Sequence, residues 1–328
     1  MRGNRQGHAM PDTMRLVVDI GGTNARFALV AEGSLLPERE QVVRCAEFEG
    51  LEQAVRHYLR DNGDPAVREA AFDVATGITG DFVQLTNGPW GFSIEQTRRS
   101  LGLDRLHVVN DFTALALAVP ILRPDELQQI GGGAAVPATP IAIIGPGTGL
   151  GVSGLVPAGK GWIALQGEGG HTAFAPMNVR EIGVLGWLQQ RYHHVSTERV
   201  VSGMGLENLY QALCALDGVG PQPLGPDKIT AAALSNGDAR CVEAVEMFCA
   251  ILGAAAANLV VTLGARGGCY IGGGIVPRLG AYFARSPFRA RFETKGRFSS
   301  YIAAVPTCVI LAQTPALRGL ATLFHDAR

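Results

Sequence analysis

The stretch that most constrains this chain is Leu16-Val-Val-Asp-Ile-Gly-Gly-Thr-Asn-Ala-Arg-Phe-Ala-Leu-Val30. Two short apolar runs, 16–20 and 27–30, flank Gly21-Gly22-Thr23-Asn24, which predicts a β-hairpin. Two consecutive glycines let the backbone take positive φ and turn its N–H groups to one side as an anion-binding nest. Asp19 ends the first strand beside that nest. A carboxylate repels a phosphate unless a cation such as Mg²⁺ lies between them, so the pairing suggests a metal–nucleotide site. The same residues also suit an ordinary Gly-Gly hairpin with a solvated Asp.

A related plan returns later in the chain. Residues 141–144 form an apolar run, followed by Gly145-Pro-Gly-Thr-Gly-Leu-Gly151 and a second run at 152–156. Two similar domains would each present a phosphate-binding hairpin to a shared cleft. The 328 residues exceed one typical core, so two domains are expected, with 120–140 as the candidate connection. Before it, strands are expected at 41–45, 70–75, 82–86 and 106–109, with helices from Leu51 to Leu59 and over 94–101. Beyond it, helices are expected at 182–188, 206–213 and 241–263, strands at 269–271 and 305–311, and a closing helix at 315–324. The alternation is α/β.

Glycine supplies 43 of the 328 residues, about 13% against a typical ~7%, clustered as GG, GxG and GGG rather than in repeats. Such clusters serve tight turns and backbone contacts to ligands. The net charge of −1 and the lack of a basic run argue against nucleic acid as a main partner. Cys45, Cys214, Cys241, Cys249, Cys269 and Cys308 are scattered without CxxC spacing, which argues against zinc and disulfides and suits a reducing cytoplasm. The longest apolar run, 250–263, contains Asn258 and is too short for a bilayer, so no membrane partner is expected. Residues 1–14 are polar, carry no signal-peptide core, and are expected to be a loose extension.

Three glycine-rich turns offer the contacts a nucleotide needs. Gly21–Asn24 and 145–151 can cradle phosphates, and 272–274, at a strand-to-helix turn, leaves room for a base or ribose. Neither a GxxxxGK[ST] nor a Rossmann spacing occurs. Val108-Val-Asn-Asp111 places a carboxylate just past a strand end, where open α/β sheets bind ligands. Asp111 suits a general base for phosphoryl transfer to an alcohol, and equally a helix N-cap. Glu168-Gly-Gly-His171 offers a carboxylate and an imidazole suited to a polyhydroxyl ligand. His193-His194 is a poor metal pair, since adjacent side chains on a helix diverge. Glu198 suits a capping box begun by Val195 or Ser196, and nothing internal marks it as functional.

Taken together, the motifs carry a family resemblance. Asp19-Ile-Gly-Gly-Thr-Asn-Ala-Arg26, Ile78-Thr-Gly-Asp81, Thr86-Asn87, Trp90, Asn110-Asp-Phe-Thr-Ala114, Gly147-Thr-Gly-Leu-Gly151, Gly167-Glu-Gly-Gly-His171, Ser196-Thr-Glu-Arg199, Gly273-Gly-Ile-Val-Pro-Arg278 and Lys295-Gly-Arg-Phe298 stand in one order. From about Arg15 to Phe324 the chain resembles the proteobacterial-type, non-ROK glucokinases of the actin/hexokinase-like sugar kinase superfamily. The cysteine-rich zinc motif of the ROK kinases is absent from the sequence.

The resemblance implies an α/β, two-domain actin/hexokinase-like (ribonuclease H-like) fold with a cleft between domains. The small domain would cover 15–120 and be completed by a C-terminal helix at about 313–328, and the large domain would cover 121–312. It implies a cytoplasmic homodimer that uses ATP and Mg²⁺ to phosphorylate the 6-hydroxyl of D-glucose. Asp111 would be the base, and Asn110, Asp111, Glu168, His171 and Glu198 the sugar ligands. Val18, Asp19, Ile20, Gly21, Gly22 and Thr23 would form the first phosphate element. Gly145, Gly147, Thr148 and Gly149 would form the second, and Gly273 and Gly274 part of the nucleoside site. Asp19 would hold Mg²⁺ through water. The chain departs from the family pattern at Val18, Thr76-Gly77, Pro146 and Gly272. The alternatives are a kinase for another hexose, a sugar sensor without turnover, and an actin-like ATPase, which would not need Glu168, His171 and Glu198.

Overall fold

The computed structural model describes residues 13–85 and 88–325. The motif pair Thr86-Asn87, the end of the strand expected at 82–86, most of the N-terminal extension and residues 326–328 lie outside the described residues. Two compact units divide the chain, one drawn from Met1–Ile121 and Gln313–Arg328, the other from Leu122–Ala312.

The first unit runs β1 (Met14–Ile20), β2 (Asn24–Ala31), β3 (Glu38–Arg44), α1 (Leu51–Asp61), β4 (Val67–Val74), β5 (Phe82–Gln84), β6 (Gly91–Ser93), α2 (Ile94–Ser100), β7 (Arg105–Asn110) and α3 (Asp111–Ala118). The second runs β8 (Leu127–Gly131), β9 (Ile141–Pro146), β10 (Leu150–Ala158), β11 (Gly161–Gly167), α4 (Val179–Gln189), α5 (Gly203–Leu216), α6 (Pro226–Leu234) and α7 (Ala239–Leu263). It continues with β12 (Cys269–Ile271), α8 (Ile275–Leu279), α9 (Ala281–Arg285), α10 (Phe288–Glu293), α11 (Ser299–Ala303) and β13 (Thr307–Ile310). The chain then returns to the first unit as α12 (Pro315–Thr322).

The repeated hairpins occupy equivalent places in two sheets. The first sheet is ordered β3-β2-β1-β4-β7, with β4 and β7 parallel to β1 and the hairpin strands antiparallel. The second is ordered β11-β10-β9-β12-β13-β8, with the same directions through β13 and an antiparallel β8 added at its edge. That edge strand lies inside 120–140, so this stretch is part of the second sheet and not only a connection. Gly132, at φ 88°, follows β8, and a Cβ there would lie 2.2 Å from the Val305 carbonyl oxygen.

Side-chain alternation sorts the first unit's core. Leu16, Val18 and Ile20 pack with Phe27, Phe72 and the α1 residues Leu51, Val55 and Tyr58. Val17, Ala71 and Val109 face the other way, onto Ala114 of α3 and Leu317 and Leu320 of α12. The two helices meet closely at Gly319, where a Cβ would lie 1.8 Å from the Ala114 carbonyl oxygen.

In the second unit, α7 is the core helix. Asp238 caps it by accepting from the N–H groups of Arg240 and Cys241 at 2.8 and 3.0 Å, and Gly264 ends it at φ 62°. At 25 residues α7 is long and apolar enough, by length and composition, to cross a membrane, which the 250–263 run considered alone is not. Its most apolar window is 72% buried inside the protein, which is the setting of a core helix.

Candidate active site

Alternation places Asp19 on the face of β1 opposite Leu16, Val18 and Ile20. The Val18 and Ile20 side chains are fully buried, so only their backbone remains for a ligand. Arg26, across the hairpin, holds Asp19 at 3.4 Å. Parallel pairing with β4 sets Asp73 directly beside Asp19. β7 follows, and its last residue, Asn110, is the N-cap of α3: its Oδ1 accepts from the Phe112 N–H at 2.9 Å. Asp111 is therefore the first helical residue and not the cap, with its own Oδ1 2.9 Å from the same N–H.

Asp73 is the residue the sequence reading missed. It is completely buried, and among the described residues no hydrogen-bond partner reaches either carboxyl oxygen. Burial raises its pKa well above the ordinary carboxylate value, the charges of Asp19 and Asp111 push the same way, and Arg26 opposes them. The balance of these causes favours the protonated form of Asp73, which sits in register with Asp19 on the neighbouring strand. A visible signal existed in the single charge of Ala70-Ala-Phe-Asp-Val-Ala75.

The first hairpin turn is tight, but not by the expected route: neither Gly21 nor Gly22 is among the positive-φ residues. The Gly21 N–H instead donates to the Asn24 carbonyl at 3.0 Å, and a Cβ on Gly21 would crowd that oxygen at 3.1 Å. The residue after β3 buttresses the turn, with the Cys45 N–H donating to the Thr23 carbonyl at 2.9 Å.

The β9–β10 turn and the 272–274 turn meet backbone to backbone. A Cβ on Gly145 would lie 2.5 Å from the Gly272 carbonyl carbon, and one on Gly273 (φ 77°) 2.3 Å from the Pro146 carbonyl oxygen. Those glycines are required by the protein's own packing. Gly147 and Gly274 instead face open space, which leaves their backbone approachable by a ligand.

The 168–171 segment and Glu198 both meet the chain at Leu150. Gly169 and Gly170 press the 168–171 segment onto β10, since a Cβ on Gly170 would lie 2.1 Å from the Leu150 carbonyl oxygen. Glu198 sits in the short turn Thr197–Arg199, capped by the Ser196 backbone alone, and the capping role expected of Glu198 is not what it does. Its Oε2 accepts from the Leu150 N–H at 2.9 Å. The Thr197 N–H donates to the Thr172 carbonyl at 2.7 Å, joining the 168–172 segment to the 197–199 turn. His193 and His194 lie outside the helices, so the argument from helical divergence does not apply to them. His194 Nε2 sits 2.9 Å from the His171 carbonyl oxygen. The Ile78-Thr-Gly-Asp81 motif ends in a brace: the Asp81 Oδ1 accepts from the Glu95 N–H at 2.9 Å at the start of α2.

The structure thus brings together Asp19, Gly21–Thr23, Asn110 and Asp111 in the first unit. In the second it brings together Gly145–Gly149 with Gly273–Gly274, and Glu168 with His171 and Glu198. Among the described residues, no three His, Cys, Asp or Glu side chains are grouped to hold a metal ion unaided. Mg²⁺ commonly takes one or two carboxylates and completes its shell with water and phosphate. Asp19 and Asp111 act together on a buried acid, with Arg26 the cation beside them, and that surplus of negative charge suits Mg²⁺ carried in with a polyphosphate.

A family model described as glucokinase matches residues 16–327. The chain belongs to the glucokinase family. It is 54% identical over 312 residues to a glucokinase of Chromobacterium violaceum, covering 95% of this chain and 89% of that one. It is 51% identical to a glucokinase of Neisseria meningitidis, covering 95% of each. Among solved structures, it superposes on a glucokinase from an Antarctic psychrotroph with a TM-score of 0.88 at 35% identity, over 96% of this chain and 99% of that one. The protein is a glucokinase-family phosphotransferase with an alcohol acceptor and the actin/hexokinase-like fold. A sensor without turnover is not favoured.

Proposed function

We propose that this glucokinase-family enzyme transfers the γ-phosphoryl group of ATP to the 6-hydroxyl of D-glucose, with Asp111 as the general base. The observation that carries the assignment is the setting of Asp111 at the end of β7 and the start of α3, its Oδ1 2.9 Å from the Phe112 N–H, two strands across the sheet from Asp19. Phosphoryl transfer depends mainly on positioning and charge stabilisation, and the acceptor hydroxyl needs a group to take its proton.

Asn110, Glu168, His171 and Glu198 bind the sugar hydroxyls with Asp111, because carboxylates accept two hydrogen bonds each and imidazole donates or accepts. In the first turn the N–H groups of Gly22 and Thr23 hold the phosphates, and in the second those of Thr148 and Gly149, since the Gly21 and Gly147 N–H groups donate to the Asn24 and Gly149 carbonyls. Gly274, open to solvent, belongs to the nucleoside site with Gly273. Asp19 holds Mg²⁺ through water, and that ion supplies charge neutralisation at the phosphates. The small domain comprises 15–120 with the closing helix, and the large domain 121–312. The enzyme works as a cytoplasmic homodimer.

ADP release measured with Mg-ATP and a panel of hexoses tests the substrate assignment. Turnover with glucose should stand well above that with mannose, fructose and galactose. Equal or greater turnover with another hexose would reassign the substrate.

A further inference from the structure

Glu198 is held in two directions at once. Its Oε2 accepts from the N–H of Leu150, 48 residues away in sequence, where the β9–β10 turn ends. The same oxygen occupies the space of the missing Gly149 side chain, since a Cβ there would lie 2.5 Å from it. On the main-chain side, the Ser202 hydroxyl donates to the Glu198 carbonyl at 2.8 Å, and the Gly203 N–H donates to the Gly147 carbonyl at 2.9 Å. The 198–203 segment is therefore stitched to the Gly147–Gly149 turn at both of its ends. That turn has few side chains to hold it, so its shape depends on such external bonds.

We infer that Glu198 is the positioning residue of the Gly147–Gly149 turn as well as a sugar ligand, and so links the phosphate-binding loop to the bound sugar. The inference rests on the reading of Glu198 as a sugar ligand. A carboxylate offers about four lone-pair sites, so Oε2 can keep the Leu150 N–H while Oε1 takes a sugar hydroxyl. Sugar bound on Oε1 then fixes the carboxylate, and the fixed carboxylate fixes the turn. A charge-assisted bond to a backbone N–H is strong enough for its loss to register as roughly a tenfold change in affinity.

Steady-state kinetics with glucose and ATP both varied test this in four variants. Glu198→Gln keeps a carbonyl for the Leu150 N–H, so it should raise the glucose KM about tenfold and leave the ATP KM near its original value. Glu198→Ala removes both roles and should raise both KM values. Gly149→Ala displaces only the end of a flexible side chain, yet should raise the glucose KM from within the phosphate loop. Because both changes act through one carboxylate, Gly149→Ala combined with Glu198→Gln should be no worse for glucose than Glu198→Gln alone. An unchanged ATP KM in Glu198→Ala, or multiplying glucose effects in the double variant, would overturn the proposal. An unchanged glucose KM in Glu198→Gln would remove Glu198 from the sugar site and the proposal with it, a failure told apart by the ATP KM of Glu198→Ala. If Gly149→Ala does not fold, the contrast between Glu198→Gln and Glu198→Ala decides alone.

Discussion

Asp73 lies directly beside Asp19 on the neighbouring strand, fully buried and, among the described residues, without a hydrogen-bond partner on either oxygen. The two carboxyl groups share one corner of the sheet, and Asp73 is the one wholly removed from water. Burial and the neighbouring charges favour the protonated form of Asp73.

The pair makes stability depend on pH with a definite sign. The folded pKa of Asp73 is raised, so the folded state keeps a proton that the unfolded chain releases above about 3.9. Stability from this group is fully present below that pH and is lost as pH rises toward the folded pKa, at about 1.4 kcal/mol per pH unit. Asp73→Asn removes the dependence. Urea unfolding without Mg²⁺ or nucleotide, from pH 4.5 to 7.5, should show a variant that gains on the original protein as pH rises. A constant difference between the two would show that Asp73 does not bind the proton.

At the junction of α3 and α12, Gly319 leaves no space for a methyl group against the Ala114 carbonyl. Gly319→Ala must push the closing helix off the sheet face that carries Val17, Ala71 and Val109. A loss of roughly 1–3 kcal/mol is expected, the usual cost of overpacking a core. Chemical denaturation reads it directly, and an unchanged midpoint would mean that the helix can shift freely.

His194 braces the carbonyl of His171, a proposed sugar ligand. His194→Ala should raise the glucose KM several-fold with little change in kcat, because the brace acts on ground-state positioning. Restoration by His194→Gln, which returns an N–H donor, separates this from a general loss of folding. If the Gln variant behaves as the Ala variant does, the brace is not the cause.

Much of the fold was legible because local patterns and global packing agree. The runs 16–20 and 141–144 lie in central strands, and the glycine turns beside them mark both hairpins. β8 and β11 were missed because they are edge strands: β8 is half exposed within a Gly-rich stretch, and β11 carries Ile163 and Leu165 on an exposed face. α6, rich in alanine, gives a weak apolar stripe. Gly21 and Gly22 were assigned a positive φ that the turn does not use, because glycine's absent Cβ mattered there and its conformational freedom did not. Glu198 could not be placed by pattern, since its partner is a backbone N–H 48 residues away, and every residue except proline carries one. Only the family resemblance singled it out.

The most direct test of the mechanism is Asp111→Asn, assayed for glucose-dependent ADP release beside glucose binding by calorimetry. The Asn side chain keeps an oxygen for the Phe112 N–H, so α3 should start as before. The expected result is a fall in turnover on the order of 10²–10⁴-fold, the range for loss of a general base, with glucose still bound within a few-fold of the original affinity. Turnover close to that of the unaltered enzyme would contradict the assignment of Asp111 as the base.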